Sequence, residues 1–189
     1  MQKQLADVVQ SLESAQAHLR LLTDTLSEAD WKKKPAANRW SAAECVEHLN
    51  LTSRAYVPLL RDAVARAGEV RRSPTTHYRH DALGWFLSKM FGPLRHLGKI
   101  RLVRVKTTPA FEPTAGRSRT EILSDFVRLQ AELISLVRTA DGLPIDGVKI
   151  VSPFGGRMRY SAYSALVIVA RHQHRHLEQA EEAAHQRVS

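Results

Sequence analysis

The sequence contains a single cysteine, Cys45. One cysteine cannot form an internal disulfide, so the composition gives no sign of an oxidising compartment. Long apolar runs are also absent, because the longest one covers only residues 165–170, far short of the roughly 20 residues that span a bilayer. The first residues, MQKQLADVV, lack the apolar core of a signal peptide. These absences predict a soluble, cytoplasmic protein without a transmembrane segment.

Acidic residues are scarce in one part of the chain. Between Glu69 and Arg119 there are eleven Lys and Arg residues but only three Asp and Glu residues, a net charge of +8. The whole chain carries +9, so the remainder is close to neutral. The location of such charge says more about partners than its total does. Because the basicity belongs to one connecting region, it does not predict specific nucleic-acid binding.

What the chain does contain is a repeated spacing of apolar residues. Its 189 residues, 43% hydrophobic and 25% charged, fit one globular domain over residues 1–189. Apolar positions three and four apart predict a first helix of about six or seven turns. Ser41 followed by Glu44 is a capping-box pattern that predicts the start of a second helix. The same spacing predicts a third helix over about residues 118–139 and a last one over about residues 161–184.

The long stretch between the second and third helices is less regular. Residues 81–97 could form a short amphipathic helix, interrupted at Gly92-Pro93. Residues 106–113 read as an extended loop, because Pro109 and Pro113 disfavour helix before them. Four long amphipathic helices with little strand signal predict an all-α four-helix bundle, with a long basic crossover at about residues 68–118.

Three histidines form the most distinctive pattern. His172 and His176 are four positions apart in a predicted helix, so their side chains share one face, about 5–6 Å apart at Cβ. His48 lies on the apolar side of the second helix. Two helical histidines and one from a distant helix predict a metal site with three nitrogen ligands and room for water or substrate. Each element has an alternative interpretation when it is considered alone. His172 and His176 could be a chance pair on a histidine-rich helix surface, and His48 could be a hydrogen-bonded histidine of the core.

Neighbouring residues narrow the chemistry. Cys45 could be a fourth ligand or a nucleophile, but a small buried residue is the favoured interpretation. Glu44 suits the capping role, and Glu47 is expected to face solvent. Gln173 occupies the glutamate position of an HExxH motif, which argues against a protease-type mechanism with that side chain as base. Imidazoles bind Zn, Ni, Fe and Cu alike, so the residues leave the metal open.

Three segments resemble the DinB/YfiT-like family of metalloenzymes. They are WSAAECVEHL at residues 40–49, KTTPAFEP at residues 106–113, and HQHRHLEQ at residues 172–179. The PFGG loop at residues 153–156 is also similar to the loop that leads into the family's last helix. The resemblance covers most of the chain, but residues 68–105 form a longer and more basic insertion than is usual.

Carried over by position, the resemblance assigns the first metal ligand to His48 and the other two to His172 and His176. Gln179 fills the family's trailing glutamine. The resemblance implies a four-helix bundle that binds a divalent metal, usually Zn or Ni. The resemblance also implies an enzyme of one of two kinds. One is a thiol-dependent transferase or isomerase that uses bacillithiol, mycothiol or glutathione, and the other is a hydrolase.

The leading functional hypothesis is therefore a metal-dependent enzyme, a transferase or hydrolase, acting on a small-molecule substrate. In the transferase version, basic crossover residues could hold the carboxylates of a low-molecular-weight thiol. The candidates, chosen from charge alone, are Arg71, Arg79, Arg101 and Arg104. The alternative for this region is simply a solvated basic surface.

A competing hypothesis is a non-catalytic binding protein whose crossover contacts nucleic acid or anionic lipid. Residues 84–91 combine aromatic side chains with a nearby cation, as an interfacial helix does. Against this, Trp85 and Phe86 are expected to pack as a lid over the bundle. A third alternative is a degenerate member of the family that has kept the fold and lost catalysis. A homodimer is compatible with a helical bundle, but no residue pattern marks an interface.

Overall fold

A computed structural model describes residues 1–70, 74–91, 107–114, 116–155 and 157–185. Within these residues the chain forms six α-helices and one small antiparallel sheet. The helices are α1 (Lys3–Thr25), α2 (Glu28–Lys32), α3 (Ala42–Gly68), α4 (Ala82–Met90), α5 (Arg119–Thr139) and α6 (Ala162–His185); the strands are β1 (Lys149–Val151) and β2 (Arg159–Ser161). The predicted all-α class is confirmed.

The four long helices form a bundle. Helices α1 and α3 each pack against both α5 and α6, which places α3 and α6 side by side. The apolar stripe predicted for α1 is buried from Leu5 to Leu22. Burial of each large aliphatic side chain contributes about 1.5–3 kcal/mol. Burial of this stripe and of the facing stripes of its neighbours is therefore the main force that holds the bundle together.

Serine caps fix where two of the helices begin. The Ser41 hydroxyl accepts the Glu44 backbone N–H, and the Glu44 carboxylate accepts the Ser41 N–H at 2.8 Å. Ser118 and Glu121 form the same reciprocal pair before α5. Each such cap satisfies N–H groups that have no partner inside the helix and contributes about 0.5–2 kcal/mol. The predicted starts of both helices are confirmed.

Helix α4 packs along α6 and is shorter than the helix predicted over residues 81–97. The Asp81 carboxylate caps it by accepting the Gly84 N–H at 2.6 Å. Gly84 lies so close to Ser164 of α6 that an added Cβ would overlap the serine side chain. A glycine is thus required for the two helices to approach this closely. The predicted interruption at residues 92–93 lies outside the described residues.

Two short features were not predicted from the sequence. Strands β1 and β2 pair in antiparallel register, with Ile150 opposite Tyr160, and the loop between them carries Phe154. Part of the segment predicted as an extended loop forms a 3₁₀ turn, Pro109–Phe111, which packs against α3. Both features bring loop residues to the same end of the bundle as the predicted histidine site.

No helix in the described part of the chain is both long and apolar enough to cross a membrane. The sequence-based prediction of no transmembrane segment agrees with this finding.

Candidate metal centre

The three predicted histidines come together between α3 and α6. His48 projects from α3, and His172 and His176 project from one face of α6, one turn apart. The ring of His48 is centred 5.2 Å from that of His172 and 4.5 Å from that of His176, and the two α6 rings are 4.4 Å apart. One nitrogen from each ring lies within 4.8 Å of the others. Imidazoles from opposite ends of the chain therefore converge.

The His48 ring is oriented by a backbone carbonyl. Its Nδ1 lies 2.8 Å from the Phe111 carbonyl oxygen, which only accepts, so Nδ1 carries the proton and donates. The other nitrogen, Nε2, is then unprotonated and lies 3.1 Å from Nε2 of His172. Metal-binding histidines commonly have this arrangement, in which one nitrogen donates to a carbonyl and the other offers its lone pair. The 3₁₀ turn thus selects the tautomer that a ligand requires.

Burial keeps the three rings neutral. His48 and His172 are only 4% and 6% exposed, and His176 is partly exposed. Burial lowers the pKa of His48, while the hydrogen bond to the Phe111 carbonyl works in the opposite direction. Burial, the neighbouring imidazoles and the charge of Arg175 lower the pKa of His172 and His176 well below the ordinary value. All three are therefore uncharged at neutral pH, the form that binds metals.

Two nitrogens of the site lack partners. Within the described residues, Nδ1 of His172 and Nδ1 of His176 are buried and accept or donate no hydrogen bond. A buried polar group left without a partner costs about 1–3 kcal/mol. Neutral imidazoles with uncommitted nitrogens, oriented by an outer hydrogen bond, fit a divalent transition metal that keeps positions open for other ligands.

Aromatic rings enclose the histidines on two sides. Trp40 lies 4.8 Å from His48 and 5.9 Å from His176, measured between ring centroids. On the other side, the rings of Phe91 and Phe154 lie 5.8 Å and 6.1 Å from His172. These walls are apolar and limit the access of water, which strengthens electrostatic interactions inside the site.

The prediction that Glu47 faces solvent is wrong. Glu47 is 4% exposed, and both of its carboxylate oxygens accept from Arg117, at 2.9 and 2.8 Å. Arg117 also pairs with Asp125, so Glu47 belongs to a partly buried ionic network. A carboxylate can be buried when it is paired in this way. Because Arg117 is 70 residues away in sequence, the spacing around His48 gave no signal of the pairing.

Cys45 is fully buried among apolar side chains, as the sequence predicted. Burial raises the pKa of its thiol far above the ordinary value, so it is protonated and unreactive. Among the described residues, the cluster able to hold a metal contains the three histidines and not this cysteine.

Trp85 and Phe86 were predicted to pack as a lid over the bundle. Trp85 and Phe86 are 54% and 55% exposed on α4, so the prediction that they form a lid is wrong. The buried positions of α4 are Gly84, Leu87 and Ser88 instead. The aromatic cover comes instead from Phe91, just after α4, and from Phe154 in the strand-connecting loop.

The basic residues proposed to hold a thiol cofactor are only partly described. Arg71, Arg101 and Arg104 lie outside the described residues. Arg79 is exposed, and its backbone N–H donates to Asp146 at 3.1 Å. The cofactor-binding role of these four arginines stays a prediction.

Arg175, which no sequence motif singles out, is partly buried on α6 between His172 and His176. Its guanidinium donates to the Met90 carbonyl oxygen at the end of α4, at 2.8 Å. Only its position beside the histidine pair could have drawn attention to it.

The comparisons with known proteins give one match. A family model described as the DinB superfamily matches residues 11–180. No curated protein and no solved structure matches the chain.

Proposed function

We propose that this chain, which belongs to the DinB superfamily, is a metal-dependent enzyme with a three-histidine site. The thiol-dependent transferase is the favoured reaction class, with a hydrolase as the variant, and Zn or Ni is the favoured metal. One observation carries the proposal: His48, His172 and His176 converge as neutral imidazoles, with ligand nitrogens within 4.8 Å of one another.

Each part of the site has a role in this proposal. The Phe111 carbonyl holds His48 in the ligand tautomer, and the aromatic walls restrict water. Three protein ligands leave positions for a small molecule. A divalent metal, when bound, lowers the pKa of a coordinated water or thiol and so supplies a nucleophile near neutral pH.

The surrounding polar residues do not suggest a protein base of the HExxH type. Gln173, at the glutamate position of that motif, is buried and exchanges two hydrogen bonds of 2.8 Å with Gln130. Glu47 is held by Arg117. Neither side chain is therefore available as a base, and a divalent metal, if held by the three histidines, would supply the activation.

Elemental analysis of the purified protein tests the metal site. We expect roughly one divalent metal per wild-type chain, and nearly complete loss in His48→Ala and in the double variant His172→Ala/His176→Ala. His174→Ala is the matched control, since His174 lies on the same helix but contacts the Ser11 carbonyl oxygen of α1 at 2.9 Å. Metal retained in either ligand variant, or lost in the control, would contradict the ligand assignment.

A second candidate function is supported by the exposure of Trp85 and Phe86. Two neighbouring exposed aromatics with Lys89 on the same short helix suit an interfacial contact with anionic lipid. Sedimentation with vesicles of neutral and of anionic lipid, repeated over increasing salt, tests this function. Leu21→Ala is the control, because Leu21 is also an exposed apolar side chain. Binding that requires anionic lipid and falls in Trp85→Ala/Phe86→Ala but not in Leu21→Ala would support this function. Equal binding by the control and by the aromatic variant would contradict it.

A further inference from the structure

Arg175 is a charged side chain beside the histidines. Among the residues that the structure describes, no Asp or Glu side chain balances the charge of Arg175. It is three residues after His172 and one before His176, and it is partly buried. Its guanidinium donates to the Met90 carbonyl oxygen, and the next residue, Phe91, has its ring against that of His172. The site therefore contains a fixed positive charge.

No Asp or Glu side chain acts as a counter-ion for Arg175. All 19 Asp and Glu residues lie in the described part of the chain, so no acidic side chain is hidden elsewhere. Within that part, no carboxylate pairs with Arg175, and its hydrogen bond goes to the Met90 carbonyl oxygen. Arg117, by contrast, is paired with Glu47 and Asp125. A partly buried cation without an anion is costly unless a ligand provides one.

The hydrogen bond that Arg175 makes to α4 does not exhaust its donors. A guanidinium has five N–H donors in a planar fork, and one nitrogen, Nη1, donates to the Met90 carbonyl oxygen. This contact caps the end of α4 and fixes the position of the side chain. Phe91 follows Met90 directly and has its ring 5.8 Å from that of His172. The side chain is thus anchored next to a residue of the aromatic wall.

We propose that Arg175 binds a carboxylate or phosphate group of the small-molecule substrate, whose reacting end lies at the three histidines. The inference rests on the proposed function and narrows it to anionic substrates. Arginine suits this role because its planar fork matches the two oxygens of such groups. Arg175 would be a substrate-binding residue that selects for charge.

Two thiols of similar size, one anionic and one neutral, test the proposal. They are 3-mercaptopropionate and its neutral amide, 3-mercaptopropionamide. Each is titrated into cobalt-loaded protein and followed by the thiolate-to-cobalt absorption band. We expect wild type to bind the carboxylate at least about tenfold more tightly than the amide, the effect of one charge-assisted hydrogen bond. Inorganic phosphate and propionate, added as competitors, show which of the two oxyanions the position prefers.

The variants separate anion binding from a purely structural role. Arg175→Gln should lose the preference for the carboxylate while its affinity for the amide stays unchanged. If that variant also loses the amide, Arg175→Lys, which retains the charge, should still prefer the carboxylate. Arg171→Gln is the matched control, because Arg171 lies one turn away on α6 and its charge acts on His80 and His174 instead. A preference that survives in Arg175→Gln, or that is absent from wild type, would overturn the inference.

A failure of the metal site would show itself separately. If wild-type protein takes up no cobalt, the proposed function fails. The same pair of thiols is then compared by calorimetry with the metal-free protein, where Arg175 is still present. Stronger binding of the carboxylate, lost in Arg175→Gln, would support the anion position by itself. Equal binding of the two thiols would refute it.

Discussion

The close approach of α4 to α6 predicts that Gly84→Ala is destabilising. Alanine is favoured over glycine within a helix by about 1 kcal/mol, so the substitution would be stabilising if space allowed. The new methyl group, however, would overlap Ser164 and lie 2.9 Å from the Asp81 carboxylate oxygen that caps α4. Overpacking costs about 1–3 kcal/mol, and a weakened cap adds about 0.5–2 kcal/mol. After the alanine preference is subtracted, we expect a net loss of about 0.5–4 kcal/mol in the free energy of unfolding.

Urea-induced unfolding at neutral pH measures this loss. Gly68→Ala is the matched control, because an added Cβ near the end of α3 meets nothing within 4 Å, so that variant should be as stable as wild type or slightly more stable. Ser164→Gly should relieve the overlap, so the double variant should be destabilised less than the sum of its two single changes. A Gly84→Ala protein as stable as wild type would refute the reasoning, since the helices would then have room to separate.

Two other predictions concern ionisable side chains. Burial raises the pKa of Asp81, but hydrogen bonds from Lys149 and from the N–H groups of Gly84 and Ser161 outweigh it and leave the pKa lowered. Its contribution to stability is complete above the unfolded-state pKa and is lost as pH falls through the folded-state value. Unfolding measured between about pH 5 and pH 2 should therefore show a weaker pH dependence in Asp81→Asn than in wild type. Buried, protonated Cys45 should react with a thiol reagent only when the protein is unfolded; rapid labelling of native protein would contradict its placement.

The long helices and the histidine cluster could be predicted because their signals are local. Apolar spacing identified the bundle helices, and the Ser41 and Ser118 capping boxes mark two of their starts. The four-residue spacing of His172 and His176 is enough by itself to place both side chains on one face of α6. Convergence with His48 required only that the two apolar stripes meet, which is what a bundle does.

What could not be predicted depends on contacts between distant residues or on very short elements. Helix α2 has five residues and each strand has three, which is too few to show a periodic pattern of apolar residues. The burial of Glu47 depends on Arg117, which the sequence separates by 70 positions. The orientation of His48 depends on a backbone carbonyl, which no side-chain pattern encodes.

The origin of that carbonyl has a consequence for regulation of the site. Phe111 lies on a turn in the connection between the second and third long helices, not on any bundle helix. The protonation pattern of a candidate ligand is therefore set by a segment outside the helical framework. Anything that displaces this turn would free the His48 ring to rotate or to exchange its proton between nitrogens. The orientation of the His48 ring therefore depends on the interhelical connection as well as on the bundle helices.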